Sequence, residues 1–207
     1  RWAELIDEAE RSAYRPIPPA PRQERYPATP AQKRMYVLDQ AAPDSLAYHV
    51  PVALRLRGPL DPRRLEEALQ QLVARHGVLR TGLEWAGGEL CQMVRERVSF
   101  SLDQEDCAPR RLPQRLRELL RPLDLGRPPL LRATLLRLGE GDHALLLELH
   151  HAACDGRTLD LLLGELARLY GGETLPAPGL DYADYAVWLA RPENDPSDQG
   201  EYWHRAL

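Results

Sequence analysis

The chain has 207 residues, a net charge of −4 and an apolar fraction of 43%. These values are ordinary for a soluble protein with one large domain or two small ones. The negative charge gives no support for sequence-independent nucleic-acid binding, and no apolar stretch is long enough to span a bilayer. Three widely spaced cysteines make neither a disulfide framework nor a metal knuckle, which favours a reducing cytosol. We therefore expect a cytoplasmic protein that binds neither nucleic acid nor membrane.

The first half of the chain alternates between helical and extended patterns. Residues 2–12 can form a short helix, and the prolines that follow up to Pro27 predict an extended linker. Thr29 and Gln32 form a capping-box pattern for a helix in which Met35 and Leu38 are core candidates. Further predicted elements are a strand at 50–57, a helix from Pro62 capped by Asp61 and ended by Gly77, and a hairpin of residues 79–85 and 90–94 around Gly87-Gly88.

The second half continues the mixed pattern. We predict a loop at 103–111, a helix at 112–120, strands at 129–138 and 144–149, a helix up to Tyr170, a helix at 181–189 and a last helix near Glu201. This order predicts an α/β (α+β) sandwich in which helices cover one mixed β-sheet.

A polar cluster follows the apolar strand at 144–149 and comprises His150, His151, Asp155 and Gly156. Loops between a strand and a helix commonly carry chemistry, because the scaffold is rigid and the loop is open. Adjacent strand residues point to opposite sides, so one imidazole should face a cavity while the other packs or holds the turn. A regular strand would put His151 on the face of Leu149. The plain alternative is a pair of structural histidines beside a turn.

Neighbouring residues raise three further questions. Consecutive histidines diverge and no third ligand has metal-site spacing, so we predict no metal site. Cys154 could be a nucleophile, but a small buried apolar role is favoured. Arg80 lies in a predicted half-buried strand, where a charge needs a partner, and Asp155 is our candidate for an ion pair.

The segment His150-His151-Ala-Ala-Cys-Asp155-Gly156 resembles the HHxxxDG signature of nonribosomal peptide synthetase condensation domains. Other segments resemble further motifs of that family in the same order. They are Thr29–Leu38 for the first motif, Arg75–Thr81 for the second, Tyr182–Trp188 for the fourth, Pro122–Leu125, and Tyr202-Trp203. The ordered set covers residues 26 to 203, which is much stronger evidence than one motif.

This resemblance implies a chloramphenicol acetyltransferase-like lobe. Residues 21–207 would be the N-terminal lobe of a condensation domain without its C-terminal lobe, nearly inactive alone. Residues 1–20 would be the tail of an upstream carrier domain with a proline-rich linker. The implied reaction is amide formation between thioesters on the 4′-phosphopantetheine arms of upstream and downstream peptidyl carrier domains. The C-terminal lobe and an adenylation domain of the same synthetase would be further partners, and the domain itself would bind no cofactor.

The resemblance also implies roles for individual residues. His151 would be a general base or orient the amine, and His150 would hold the loop. Asp155, paired with Arg80, would keep the loop in shape, and Gly156 would keep the substrate tunnel free of a side chain. Arg34, Arg157 and Thr158 are further candidates for the tunnel wall.

Some positions depart from the family pattern. Arg157 and Thr158 stand where an aromatic residue and serine are common, Gly77 where an acid is common, and Leu83 where an aromatic residue is common. Heterocyclising relatives replace both histidines with aspartate, so that subtype is disfavoured. The alternatives are an epimerisation domain or another carrier-dependent acyltransferase, and a non-catalytic module that docks carriers.

Overall fold

The computed structural model describes residues 16–191 and 204–205 of the chain. The strands are β1 (Tyr26–Pro27), β2 (His49–Arg57), β3 (Thr81–Ala86), β4 (Glu89–Val94), β5 (Leu102–Asp106), β6 (Leu131–Gly139) and β7 (Asp142–His150). The helices are α1 (Pro30–Ala41), α2 (Pro62–Arg75), α3 (Leu112–Leu119), α4 (Gly156–Tyr170) and α5 (Tyr182–Leu189). The helices predicted at residues 2–12 and near Glu201 lie outside the described residues, except for the helical pair 204–205.

The strands form two sheets. The larger has the order β2-β7-β6-β5, in which β5 pairs with β6 in parallel and the other pairs are antiparallel. The smaller has the order β1-β4-β3 and is antiparallel. The predicted mixed α/β class is confirmed, but the strands at 81–86 and 89–94 form a separate sheet and do not join the predicted single one.

The main core lies between the larger sheet and the helices α2 and α4. Alternate residues of β7, namely Leu145, Leu147 and Leu149, face it and are at most 4% exposed. The apolar stripe of α2 covers this face, because Leu65, Leu69 and Leu72 recur at helical spacing. This packing holds β7 rigidly in the middle of the sheet.

Local signals placed most element boundaries correctly. Thr29 accepts a hydrogen bond from the backbone N–H of Gln32 in a complete capping box, and Asp61 caps α2. Gly87 and Gly88 have φ of 63° and 86°, the left-handed pair that a tight hairpin turn requires. Leu38, a predicted core residue, is instead 41% exposed.

Two predictions of local structure were wrong. Residues 102–106 form the edge strand β5, which overlaps the start of the loop predicted at 103–111. Its outward side chains can be polar because Arg115 and Arg137 pair with Glu105 and Asp106. Residues 77–80 form a 3₁₀ turn, so Arg80 precedes strand β3 and is not part of it.

Candidate active site

The buried strand β7 ends at His150, whose side chain is enclosed. His150 is 1% exposed, and its Nδ1 accepts the backbone N–H of Ala152 at 3.0 Å. Burial, helped by neighbouring His49 and His151, lowers the pKa of His150 to about 4. The ring is therefore neutral near pH 7, and with Nδ1 as acceptor its proton resides on Nε2. This geometry favours a role in holding the turn.

His151 is the first residue beyond β7, and it is exposed. Its backbone N–H donates to the carbonyl oxygen of Tyr48 at 2.8 Å, which fixes the main chain where the side chain leaves the sheet. Regular strand alternation would have put this ring on the core face of Leu149, but the strand stops at His150 and the chain turns. The backbone of His151 is thus fixed by a hydrogen bond, while its imidazole is exposed.

Asp155 caps the N-terminus of α4. Its Oδ1 accepts hydrogen bonds from the backbone N–H of Thr158 at 2.8 Å and from the Thr158 hydroxyl at 2.7 Å. These hydrogen bonds lower the pKa of the Asp155 carboxyl. Because the capping bonds satisfy the carboxylate locally, Asp155 is held in place without a distant cation.

The predicted ion pair between Arg80 and Asp155 is not formed. The guanidinium of Arg80 donates instead to the main-chain oxygens of Arg95 and Glu96. Carbonyl groups exposed after the end of β4 supply these acceptors. Arg80 lines an open groove of about 680 Å³ together with Tyr26 and other residues of the smaller sheet.

Gly156 is the first residue of α4, and the space beside it is empty. A Cβ added at Gly156 would meet no atom of the described residues within 4 Å. Its φ lies outside the left-handed region, so the backbone does not require glycine either. Neither packing nor conformation within the described chain explains why this position lacks a side chain.

The other predicted tunnel residues differ in their surroundings. Arg34 on α1 and Arg157 on α4 are exposed. Thr158 is half-buried and is a capping partner of Asp155. The assignment of Arg34, Arg157 and Thr158 to a tunnel wall stays a prediction.

The first and fourth motif segments meet at the starts of α1 and α5. The hydroxyl of Thr29, before α1, lies 3.1 Å from the hydroxyl of Tyr182 at the start of α5. Burial raises the pKa of Tyr182, while the hydrogen bond with Thr29 opposes this rise. Segments far apart in the sequence therefore meet at the starts of these two helices.

The second motif segment holds α4 through Glu165, which the sequence analysis missed. Nε of Arg75 lies 3.0 Å from both oxygens of Glu165, and Nε2 of His76 lies 2.6 Å from Oε2. Glu165 is 8% exposed and belongs to the buried face of α4 with Leu162, Leu166 and Leu169. A carboxylate within that apolar stripe was the available signal, because a buried charge requires partners.

Two other chemistries have little support in this region. Cys154 is buried, and burial, with the nearby Asp155, raises the pKa of its thiol to about 11, so it is not a thiolate nucleophile near neutral pH. Within residues 16–191 and 204–205, no three His, Cys, Asp or Glu side chains are grouped to hold a metal ion.

In the same ranges no helix has the length and apolar character to cross a membrane.

Comparison with known proteins identifies many relatives. The family model described as Condensation domain matches residues 22–207. Surfactin synthase subunit 2 of Bacillus subtilis (strain 168) is 39% identical over 202 residues, 98% of this chain and 6% of that protein. Tyrocidine synthase 2 of Brevibacillus parabrevis is 40% identical over 203 residues, 97% of this chain and 6% of that protein.

Solved structures share the fold over part of their length. The complex of the X-domain and OxyB from teicoplanin biosynthesis matches with a TM-score of 0.84 and 30% identity, over 94% of this chain and 46% of that one. The first condensation domain of the CDA synthetase matches with a TM-score of 0.70 and 24% identity, over 87% of this chain and 51% of that one, and shows the fold alone. The chain spans about half of these solved chains and a small part of the curated synthases. By its match to the family model over residues 22–207 and its identity to these synthases, this chain belongs to the condensation-domain family of nonribosomal peptide synthetases.

Proposed function

We propose that this chain takes part in amide formation between carrier-bound aminoacyl or peptidyl thioesters. One observation carries the proposal: the exposed imidazole of His151 lies immediately beyond the buried strand β7, and its backbone N–H is fixed to the carbonyl oxygen of Tyr48. Open space beside Gly156 lies at the adjoining start of α4. A fixed base next to unfilled space is the arrangement that a reaction between two long, tethered substrates needs.

The proposed chemistry uses the imidazole of His151 on the acceptor amine. An α-ammonium group has a pKa near ~8 and a free imidazole near ~6.5, so imidazole is suited to accept the proton that the amine must lose. The amine nitrogen attacks the donor thioester carbon, the C–S bond breaks, and the thiolate leaves and is reprotonated. General-base help is typically worth about 10²–10⁴-fold. In the alternative form of this role, the His151 ring orients the amine by a hydrogen bond and does not take its proton.

The substrates would arrive on the phosphopantetheine arms of two carrier domains. Relatives such as the surfactin and tyrocidine synthases are far longer than this chain, which supports a place among carrier and adenylation domains of a larger synthetase. The solved relatives are about twice the length of the chain, which supports a second lobe that would complete the tunnel. Residues 21–207 would then be the first lobe, with residues 1–20 leading into it.

The test is amide formation by the full-length protein carrying His151→Ala. We expect a loss of roughly 10²–10⁴-fold in turnover. Thermal stability should change little, because exposed side chains away from packing contribute within about 0.5 kcal/mol. Asp160→Ala is the matched control, since Asp160 is exposed in the first turns of α4, the helix that follows the loop of His151, and has no assigned role. Full activity of His151→Ala would remove the assignment of the base.

A docking module is the second candidate, because the solved neighbour with a TM-score of 0.84 is an X-domain in complex with OxyB. In that case the full-length protein would bind loaded carriers without forming product. His150 and His151 both remain in this chain, which favours catalysis. Mass spectrometry of the carrier-bound species separates the two candidates, and exchange of the α-proton without amide product would indicate epimerisation.

A further inference from the structure

A row of polar side chains crosses the larger sheet on the face opposite the main core. His49 of β2 pairs across the strands with His150, and Arg132 of β6 pairs with Glu148 of β7. Residues paired in this way share a face of the sheet, so all four belong to the face opposite Leu149. We call His49, Arg132 and Glu148 the polar row.

The polar row binds the main chain of residues 121–123. Nη1 and Nη2 of Arg132 donate to the carbonyl oxygens of Arg121 at 3.3 Å and Pro122 at 3.1 Å. The N–H of Arg121 donates to Oε1 of Glu148 at 3.5 Å, and Arg132 also donates to this oxygen at 3.2 Å. The N–H of Leu123 donates to Nε2 of His49 at 3.3 Å. Side chains therefore satisfy four main-chain groups of a segment that lies between regular elements.

Residues 120–126, here called the strap, also attach to the smaller sheet. The N–H of Leu83 in β3 donates to the carbonyl oxygen of Leu125 at 2.8 Å, and Leu125 is 1% exposed. A Cβ on Gly82 would lie 2.8 Å from the carbonyl oxygen of Gly126, so the strap and β3 touch closely. The strap is thus held at one end by the polar row and at the other by the second sheet.

The start of β2 contacts the histidine pair at two points. The ring of His49 meets that of His150 edge-on, with centroids 5.3 Å apart and planes at 83°. The carbonyl oxygen of neighbouring Tyr48 accepts the N–H of His151. A shift of His49 would therefore move the backbone from which His151 projects.

We propose that His49 is a positioning residue for the reaction proposed above: its bond to Leu123 and its contact with His150 hold the strap and the base of His151 in one arrangement. This inference rests on the proposed function. Nδ1 of His49 is buried and has no hydrogen-bond partner among the described residues. A buried polar group without a partner costs free energy, so an apolar side chain would be the better choice if this position only filled space. What histidine adds over an apolar residue is Nε2, which accepts the hydrogen bond from Leu123.

Charge supports the same assignment. Nε2 can accept from Leu123 only while the ring is neutral. Burial and the positive charge of Arg132 both lower the pKa of His49, which keeps the ring in that form. His150 of β7, whose ring meets that of His49, is a further titratable group against it, and Glu148 and Arg121 belong to the same hydrogen-bonded row and strap.

The test compares His49→Leu with His49→Gln in the full-length protein. Glutamine can place an amide oxygen near the position of Nε2, whereas leucine fills the space without an acceptor. For His49→Leu we expect faster hydrogen exchange at the Leu123 amide, a changed imidazole signal of His151 in NMR, and a kcat lower by roughly 10- to 100-fold with KM little changed. His49→Gln should restore all three.

His143→Leu is the matched control. His143 of β7 likewise has a buried Nδ1 without a hydrogen-bond partner among the described residues, but it lies at the end of β7 opposite to His150. It should alter stability and leave kcat and the His151 signal unchanged. An unchanged His151 signal and kcat in His49→Leu, or the same loss in His49→Gln as in His49→Leu, would overturn the inference. If the unsubstituted protein forms no amide, the proposed function fails, while exchange at Leu123 and the His151 signal still decide the positioning.

Discussion

Replacing Gly156 by alanine separates a functional reason for this glycine from a structural one. A Cβ there meets nothing within 4 Å, and the backbone is one that alanine adopts. The described structure therefore opposes no added methyl. Alanine is favoured over glycine in helices by about 0.8–1.0 kcal/mol in the interior, and compatible Gly→Ala changes stabilise by about 0.4–1 kcal/mol. We expect Gly156→Ala to raise the free energy of unfolding by about 0.4–1 kcal/mol.

The same substitution should lower activity if substrate passes over this position. Extra methyl groups in a filled space cost about 1–3 kcal/mol, which corresponds to roughly 5- to 150-fold in rate. Gly164→Ala is the control, because Gly164 lies in the same helix, is exposed, and also has nothing within 4 Å of an added Cβ. It should give the same gain in stability without the loss of activity.

The assay is amide formation by the full-length protein, together with thermal and denaturant unfolding of each variant. Equal turnover of Gly156→Ala and Gly164→Ala would refute the idea that glycine 156 clears a path for substrate. A loss of stability in Gly156→Ala would show instead that an undetected contact requires glycine at that position.

Three further predictions concern the surrounding supports. Asp155→Ala should lower the free energy of unfolding by about 1 kcal/mol, because a helix cap is lost. In a double-mutant cycle its effect should add to that of Arg80→Ala within about 0.5 kcal/mol, and a larger coupling energy would show that the two side chains do form an ion pair. Glu165→Gln should destabilise by about 3 kcal/mol, because a buried ion pair loses its anion. Burial alone would raise the pKa of the Glu165 carboxyl, but its hydrogen-bonded partners lower that pKa below the ordinary 4.5. The ionised carboxylate therefore stabilises the fold above pH 4.5, and this stabilisation is lost as the pH falls through the lowered pKa. Denaturant midpoints of the unsubstituted protein and of Glu165→Gln between pH 7 and 3 check this, and parallel pH curves for the two proteins would contradict it. Gly77→Ala should destabilise by about 1 kcal/mol, because its Cβ would displace the carboxylate of Asp181 from its capping position on α5; the loss should shrink in an Asp181→Gly background, and an equal loss there would exclude the clash.

The strap and the polar row show why some features escape a sequence-based analysis. Arg132, Glu148 and His49 come from three strands, and their partners are backbone groups of residues 121–123. Such bonds depend on how strands align in the sheet, which no local pattern specifies. The edge strand β5 was mistaken for a loop for the same reason, since its polar side chains find arginine partners on β6 and α3.

The sequence by itself determined the features that neighbours along the chain decide. The caps at Thr29 and Asp61, the glycine hairpin, the apolar periodicity of α2 and the strand ending at the histidine pair all depend on residues a few positions apart. Its ordered motifs also identified the family. Only the tertiary structure decided that Arg80 and Asp155 stay apart, that Glu165 is held by Arg75 and His76, and that His150 is enclosed while His151 is exposed. The partners of these charged side chains are groups distant in the sequence, and the exposure of each histidine depends on where the chain leaves the sheet. Both are determined only by the folded arrangement of the chain.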